Sequence, residues 1–382
     1  MTANETNETC SAPWRQAAMR VGCAILLLPI VLVASGCVAG GERPRNVIFL
    51  VGDGMGVAHV TAAKVAFGEL EMERFPYGGI SATFPEGSFV TDSAASGTAL
   101  ATGFKTVNGA ISVTPEDAVL KTALEYAEEN GMATGLVVTC SITHATPAVF
   151  AAHIDDRSRD REIAEQLAAS DVDVLFGGGA GYFTPTAVGG TRSDGRDLLA
   201  GMAERLLVAR DVDEFNAMGD VDAAAFLYAK AHPGPVGDRP VSLAELSRRA
   251  IEILSRDGDG FFLMIEGSQI DWAGHENDKQ YLLDEMADFD AAVGAALDFA
   301  ERDGETLVVM TADHETGGLT VDEGSVPDDW LGPVAWSSES HTAAMVPVLS
   351  YGPGSAALGG IIDNTDIGAF LIDAVGGKPQ ER

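Results

Sequence analysis

The segment Phe261–His275 reads FFLMIEGSQIDWAGH. Its apolar run ends abruptly in Glu266, and Asp271 and His275 follow four residues apart. On a helix, positions i and i+4 share a face, so Asp271 and His275 can grip one cation. Glu266, at the end of a buried strand, would face the same crevice. The same residue types recur behind other apolar runs. Asp53 sits between glycines in VGDGMG at 51–56, Asp313 and His314 stand in TADHETGG at 311–318, and His144 follows ATGLVVTC at 133–140. His/Asp ligation with few thiols suits Zn²⁺, and all-oxygen ligation suits Mg²⁺.

A nucleophile is available. In TDSAASGTA at 91–99, small residues allow close backbone packing, and a helix starting near Ala94 would place Asp92 or Ser93 at its N-terminus. Such a serine ordinarily only caps a helix; beside a cation it could ionise to an alkoxide. Arg157 is a candidate two-pronged clamp for phosphate oxygens. A pair of cations about 4 Å apart suits in-line displacement at phosphorus. The glycines around Asp53 do not form a nucleotide phosphate loop, because neither the lysine nor the GxGxxG spacing is present.

These residues need a scaffold that brings them together. Runs at Asn46–Val51, Ala133–Cys140, Asp173–Phe176, Phe261–Ile265, Leu307–Met310 and Val346–Ser350 predict strands buried on both faces. Between them fall helical patterns: Leu120–Asn130 closed by Gly131, a helix from the Ser242/Glu245 capping box to about Asp257, and one bearing Met286, Phe289, Val293, Leu297 and Ala300. Alternation of this kind implies an α/β fold, a three-layer sandwich whose central, mostly parallel sheet is covered by helices on both faces. Ligands of such sheets bind beyond the carboxyl ends of the strands. Asp53, His144, Glu266, Asp271, Asp313 and His314 all come at or just after those ends. Residues 184–240 show weak periodicity and read as peripheral helices and loops. His59 and His153, in segments that read as helix, and His232, in a loop, read as structural or solvated.

The chain has 382 residues and a formal net charge of −33, a surface that repels nucleic acid. Arg15 and Arg20 precede the apolar run Ala24–Val33, too short for a comfortable membrane span. It ends in Ala34-Ser35-Gly36-Cys37, which resembles a bacterial lipoprotein cleavage box. Residues 1–36 therefore read as a signal peptide, Cys37 as a lipidated anchor and 37–45 as a tether to one domain at 46–382; an ordinary secretory signal and a start at Met19 remain open. Removal of the leader would take Cys10 and Cys23 with it, leaving Cys140 as the only thiol of the folded domain.

Taken together, VGDGMG, TDSAASGTA, HATPA at 144–148 with Arg157 beyond it, EGSQIDWAGH at 266–275, TADHETGG and SSESHTA at 337–343 make the chain resemble the bacterial alkaline phosphatases, in family order from about residue 45 to 355. That resemblance implies a fold of the alkaline phosphatase type, with phosphomonoesters as substrates and inorganic phosphate as product. It makes Ser93 the nucleophile, Arg157 the phosphate clamp and Asp92 its orienting partner. It assigns Asp271, His275 and His341 to one zinc and Asp53, Asp313 and His314 to a second. Magnesium falls to Asp53, Thr146 and Glu266, with His144 touching that third metal directly or through water. His144 and Trp272 stand where the best-known enterobacterial pattern has Asp and Lys, so the identity of the third metal is open. The resemblance also implies a homodimer and, with the leader, a periplasmic or cell-surface location. A phosphodiesterase of the same superfamily and a non-catalytic phosphate- or metal-binding lipoprotein are the competing readings. The one Ser-x-Pro-x-Arg stretch, Ser11–Arg15, falls in the leader ahead of the domain, so a sulfatase is not supported.

Overall fold

The computed structural model describes residues 43–322, 332 and 334–380; the leader, the Cys37 anchor and most of the tether lie outside them. The strands are β1 (Asn46–Gly52), β2 (Tyr77–Ala82), β3 (Ala133–Ser141), β4 (Val174–Gly178), β5 (Leu207–Ala209), β6 (Ala224–Leu227), β7 (Phe261–Gly267), β8 (Thr306–Thr311), β9 (Glu315–Thr316), β10 (Leu319–Val321), β11 (Val334–Trp336), β12 (His341–Thr342), β13 (Val346–Tyr351) and β14 (Gly360–Asp363). Ten of them form one sheet in the order β14-β2-β13-β8-β1-β7-β3-β4-β6-β5. Strand β13 runs antiparallel to both its neighbours; the other pairings in the sheet are parallel.

Every residue of β1, β3 and β7 is buried. Both faces of the sheet are covered, which is why these strands read as unbroken apolar runs and not as alternations. Along β1, Val47, Phe49 and Val51 join one core and Ile48 and Leu50 the other. The first core is closed by helices Ser93–Thr102, Ala123–Glu129, Ala145–Ala151, Asp160–Ala169 and Asn364–Ala374. The second is closed by Val57–Phe67, Leu243–Leu254 and Lys279–Asp303. The chain is thus the expected three-layer α/β sandwich.

The direction of β13 matters for the site. The carboxyl ends of β1, β3, β7 and β8 share one edge of the sheet, and an antiparallel strand presents its amino end there. His341, just before β13, therefore arrives at the edge that receives Asp53, His144, Asp271 and Asp313.

Several expectations change. The segment 184–240 is not only helices and loops: β5 and β6 extend the sheet in parallel beyond β4, in strands too short to show a periodic pattern. The helix expected from Leu120 begins at Ala123, because Thr122 caps it in a box with Glu125. His153 lies just past the helix that ends at Ala151. The interval from His314 to Thr342 holds the pairs β9–β12 and β10–β11; 323–331 and 333 are outside the described residues. Among the described residues, no helix is long and apolar enough to cross a membrane.

Candidate active site

Strand β1 ends at Gly52, so Asp53 is the first residue beyond the sheet, with no exposed surface. The backbone must then turn hard against the helix Gln269–Glu276. Gly54 does this at φ +74°, where a Cβ would lie 2.7 Å from the Asp271 Cα. The Gly54 N–H also donates to Asp313 Oδ1 at 3.1 Å, tying the β1 and β8 loops together.

Three groups of metal-ligand residues gather at this edge: Asp271, His275 and His341; Asp53, Asp313 and His314; and Cys140, His144 and Glu266. In the first, the Nε2 atoms of His275 and His341 are 3.1 Å apart, and each is 3.4 Å from Asp271 Oδ1. In the second, His314 Nε2 lies 3.1 Å from Asp313 Oδ2 and 3.5 Å from Asp53 Oδ1. The far side of each ring is held. His275 Nδ1 is 2.6 Å from the Glu339 carbonyl, His341 Nδ1 2.9 Å from the Thr91 carbonyl, and His314 Nδ1 3.2 Å from Thr316 Oγ1. A carbonyl can only accept, so Nδ1 of His275 and His341 carries a proton, and Nε2 is the ring atom that would face a cation.

Charge supports the same assignment. Asp53, Glu266 and Asp313 have no exposed surface, and Asp271 is 5% exposed. Burial, together with Asp313, Asp271 and Glu266, pushes the Asp53 carboxyl well up. Burial lifts Glu266 to about 7. Both Asp53 oxygens, Glu266 Oε1, Asp313 Oδ2, Thr146 Oγ1 and His144 Nδ1 are buried without a hydrogen-bond partner. Buried acids without donors are unfavourable unless cations complete them. The donors present fit divalent cations.

Beside these groups lies the serine. Ser93 is the first residue of the helix Ser93–Thr102, and the Asp92 side chain caps it by accepting from Ala95 N at 3.0 Å. Ser93 Oγ is 3.3 Å from His314 Nε2. Asp92 Oδ2 accepts from Arg157 Nη1 and from Gly109 N, both at 3.0 Å, while Arg157 N donates to Gly109 O at 2.9 Å. One loop thus fixes the arginine and its carboxylate together. Arg157 Nη2 stands 3.1 Å from His144 Nε2. Burial, then Arg157 and His232, hold His144 down to about 3, so its imidazole is neutral.

The sequence model of the alkaline phosphatase family matches residues 44–332. The chain belongs to the alkaline phosphatase family. It is 33% identical to alkaline phosphatase 3 of Bacillus subtilis, over 91% of this chain and 96% of that one. The solved alkaline phosphatase of the Antarctic bacterium TAB5 is 37% identical, with a TM-score of 0.79 over 88% of this chain and 99% of that one. A variant of that enzyme, with a histidine replaced by glutamate, has magnesium bound in its M3 site; it is 36% identical, with a TM-score of 0.79 over the same shares. This alkaline phosphatase is a metal-binding enzyme that hydrolyses phosphomonoesters.

The sequence reading assigned no role to several residues that the structure brings in. Asn108 accepts from Asp92 N and donates to Val90 O, both through its amide. Thr316 donates to Asp271 and touches His314. Cys140 joins His144 and Glu266. Thr316 and Cys140 were legible only as parts of a motif and a strand. His232, read without a role, packs edge-on against Trp272 at 4.9 Å between ring centres and against His144 at 5.6 Å. His59 caps its own helix, its Nδ1 accepting from Gly56 N, and His153 bridges Ser112 O and Glu125; neither belongs to the three groups.

Proposed function

We propose that this alkaline phosphatase works through a phosphoserine at Ser93, with zinc held by Asp271, His275 and His341 and by Asp53, Asp313 and His314. A third site, of Asp53, Thr146 and Glu266 with His144 directly or through water, would take magnesium, a reading that the magnesium-bound M3 site of the TAB5 variant supports. The observation that carries the proposal is Ser93 Oγ at a helix N-terminus, 3.3 Å from His314 in a cluster of uncompensated buried acids. When bound, the cations supply the positive charge that ionises the serine and stabilises the attacking and leaving oxygens.

The chain's own residues do the rest. Ser93 Oγ attacks phosphorus, the P–O bond to the alcohol breaks opposite, and the phosphoryl group is left on Ser93. Water then attacks that phosphorus, phosphate departs and the serine oxygen is recovered. Arg157, anchored on Asp92, offers its remaining N–H groups to the non-bridging oxygens. Trp272 brings no positive charge to the phosphate pocket where the enterobacterial pattern has lysine, which favours quick product release. The leader and Cys37 box support export to the periplasm or cell surface with a lipid anchor, the net charge of −33 argues against nucleic-acid binding, and the family resemblance supports a homodimer.

The test is hydrolysis of a chromogenic phosphomonoester beside the matching diester at alkaline pH, before chelation, after it, and after return of Zn²⁺ and Mg²⁺. Fast monoester turnover that dies with chelator and returns with both ions is expected. A diester preference, or metal binding without turnover, would overturn the reading.

A further inference from the structure

Within the third group, one ligand-type atom is a sulfur. Cys140 is the penultimate residue of β3, has no exposed surface and forms no disulfide. Its Sγ is 3.4 Å from Glu266 Oε2. Ligand atoms of Cys140, His144 and Glu266 all lie within 4.8 Å of one another. Register explains the meeting: β3 pairs with β7 so that Val138 faces Glu266, and Cys140 lies two residues further along the same face of its strand. The second observation is independent of the thiol. Glu266 Oε1 and Thr146 Oγ1 are both buried with no hydrogen-bond partner, while the other Glu266 oxygen, Oε2, accepts from Ser268 Oγ at 2.8 Å.

Sulfur alters what such a site prefers. Magnesium takes hard oxygen donors and keeps much of its water, whereas a thiolate with an imidazole and a carboxylate suits a tetrahedral, softer cation. We propose that Cys140 Sγ is a direct ligand of the third cation and makes that site select zinc-like ions over magnesium. This rests on the three-cation reading above and departs from it only in the identity of the third ion. Binding replaces the S–H bond by an S–metal bond, and the thiol proton leaves to solvent.

The test uses the full chain, stripped with chelator and loaded with Co²⁺ alone, beside Cys140→Ser treated identically. A near-ultraviolet thiolate-to-cobalt charge-transfer band should appear in the parent and vanish in Cys140→Ser, with three cobalt ions per parent chain. In a Zn²⁺/Mg²⁺ mixture, metal analysis should find zinc in the third site of the parent. Cys140→Ser should shift that preference toward magnesium on the order of tenfold or more, while the first two sites stay filled. Three cobalt ions in the parent without a charge-transfer band would overturn the thiolate ligand and leave the three-cation reading standing, whether or not the variant folds. An unchanged zinc preference in a folded Cys140→Ser would overturn the selectivity. A parent chain that holds no cation would overturn both.

Discussion

Glu285, Asp288 and Asp290 lie on the helix Lys279–Asp303 and are 2%, 8% and 8% exposed, nearly as buried as Asp53, Glu266 and Asp313 at the sheet edge. Their oxygens are met by the chain. Glu285 accepts from Val236 N and Arg239 Nη2, Asp288 from Arg239 Nη2 and Leu243 N, and Asp290 from Glu71 N and Met72 N. Burial pushes all three carboxyls up, and the arginine or the backbone N–H groups pull them part of the way back. At the sheet edge burial is complete, yet both Asp53 oxygens, Glu266 Oε1 and Asp313 Oδ2 have no donor. A buried acid with its donors built in pins elements of the fold together. Buried acids left short of donors mark where the fold expects an ion.

Neutralising Asp53 should separate the two kinds most sharply. Asp53→Asn is expected to lower kcat at least about a hundredfold with reduced metal content, while raising the melting temperature of the chelated protein, because it removes an uncompensated charge. A fall in the melting temperature of the chelated variant would mean the chain already satisfies Asp53. On the helix the sign reverses. Arg239→Leu strands Glu285 and Asp288 and should cost about 3–5 kcal/mol in urea unfolding, by the same amount with and without chelator. Asp290→Asn keeps only one acceptor oxygen for two N–H groups and should cost about 1–2 kcal/mol, again insensitive to metal.

The smallest effect concerns a carboxyl between these extremes. Glu128 is half-buried, accepts only from Thr134 Oγ1 at 3.3 Å, and is pushed up by burial to about 7. A carboxyl whose folded pKa is raised costs nothing below its unfolded value near 4.5, and costs stability as pH climbs through 7. Glu128→Gln should therefore stabilise by about 1 kcal/mol above neutrality, allowing for solvent screening, and by nothing below the unfolded value. Urea unfolding across that range reads the difference.

What the sequence made legible follows from the same physics. Strands β1, β3, β7 and β8 announced themselves because burial on both faces demands continuous apolar runs, and carboxylates at their ends are conspicuous after such runs. Asp271 and His275 were legible because helical periodicity puts them on one face. His341 was placed by motif alone: that it reaches the site depends on β13 running antiparallel, which no local pattern records. The strands β5 and β6 were missed because three and four residues are too few to carry a periodicity. That Cys140 meets His144 and Glu266 was missed because, within an apolar strand, a thiol is indistinguishable from any small buried side chain. Asn108 acts through one amide at the end of a loop, a role that exists only once the loop is folded.

The measurement that bears most directly on the account is a search for phosphate on Ser93. The zinc- and magnesium-loaded chain would be turned over on a phosphomonoester, quenched in acid, and its peptides weighed, beside Ser93→Ala. A phosphorylated peptide containing Ser93, absent from a folded and metal-loaded Ser93→Ala that has lost turnover, is the predicted result. Undiminished turnover in Ser93→Ala with its metals bound would contradict it.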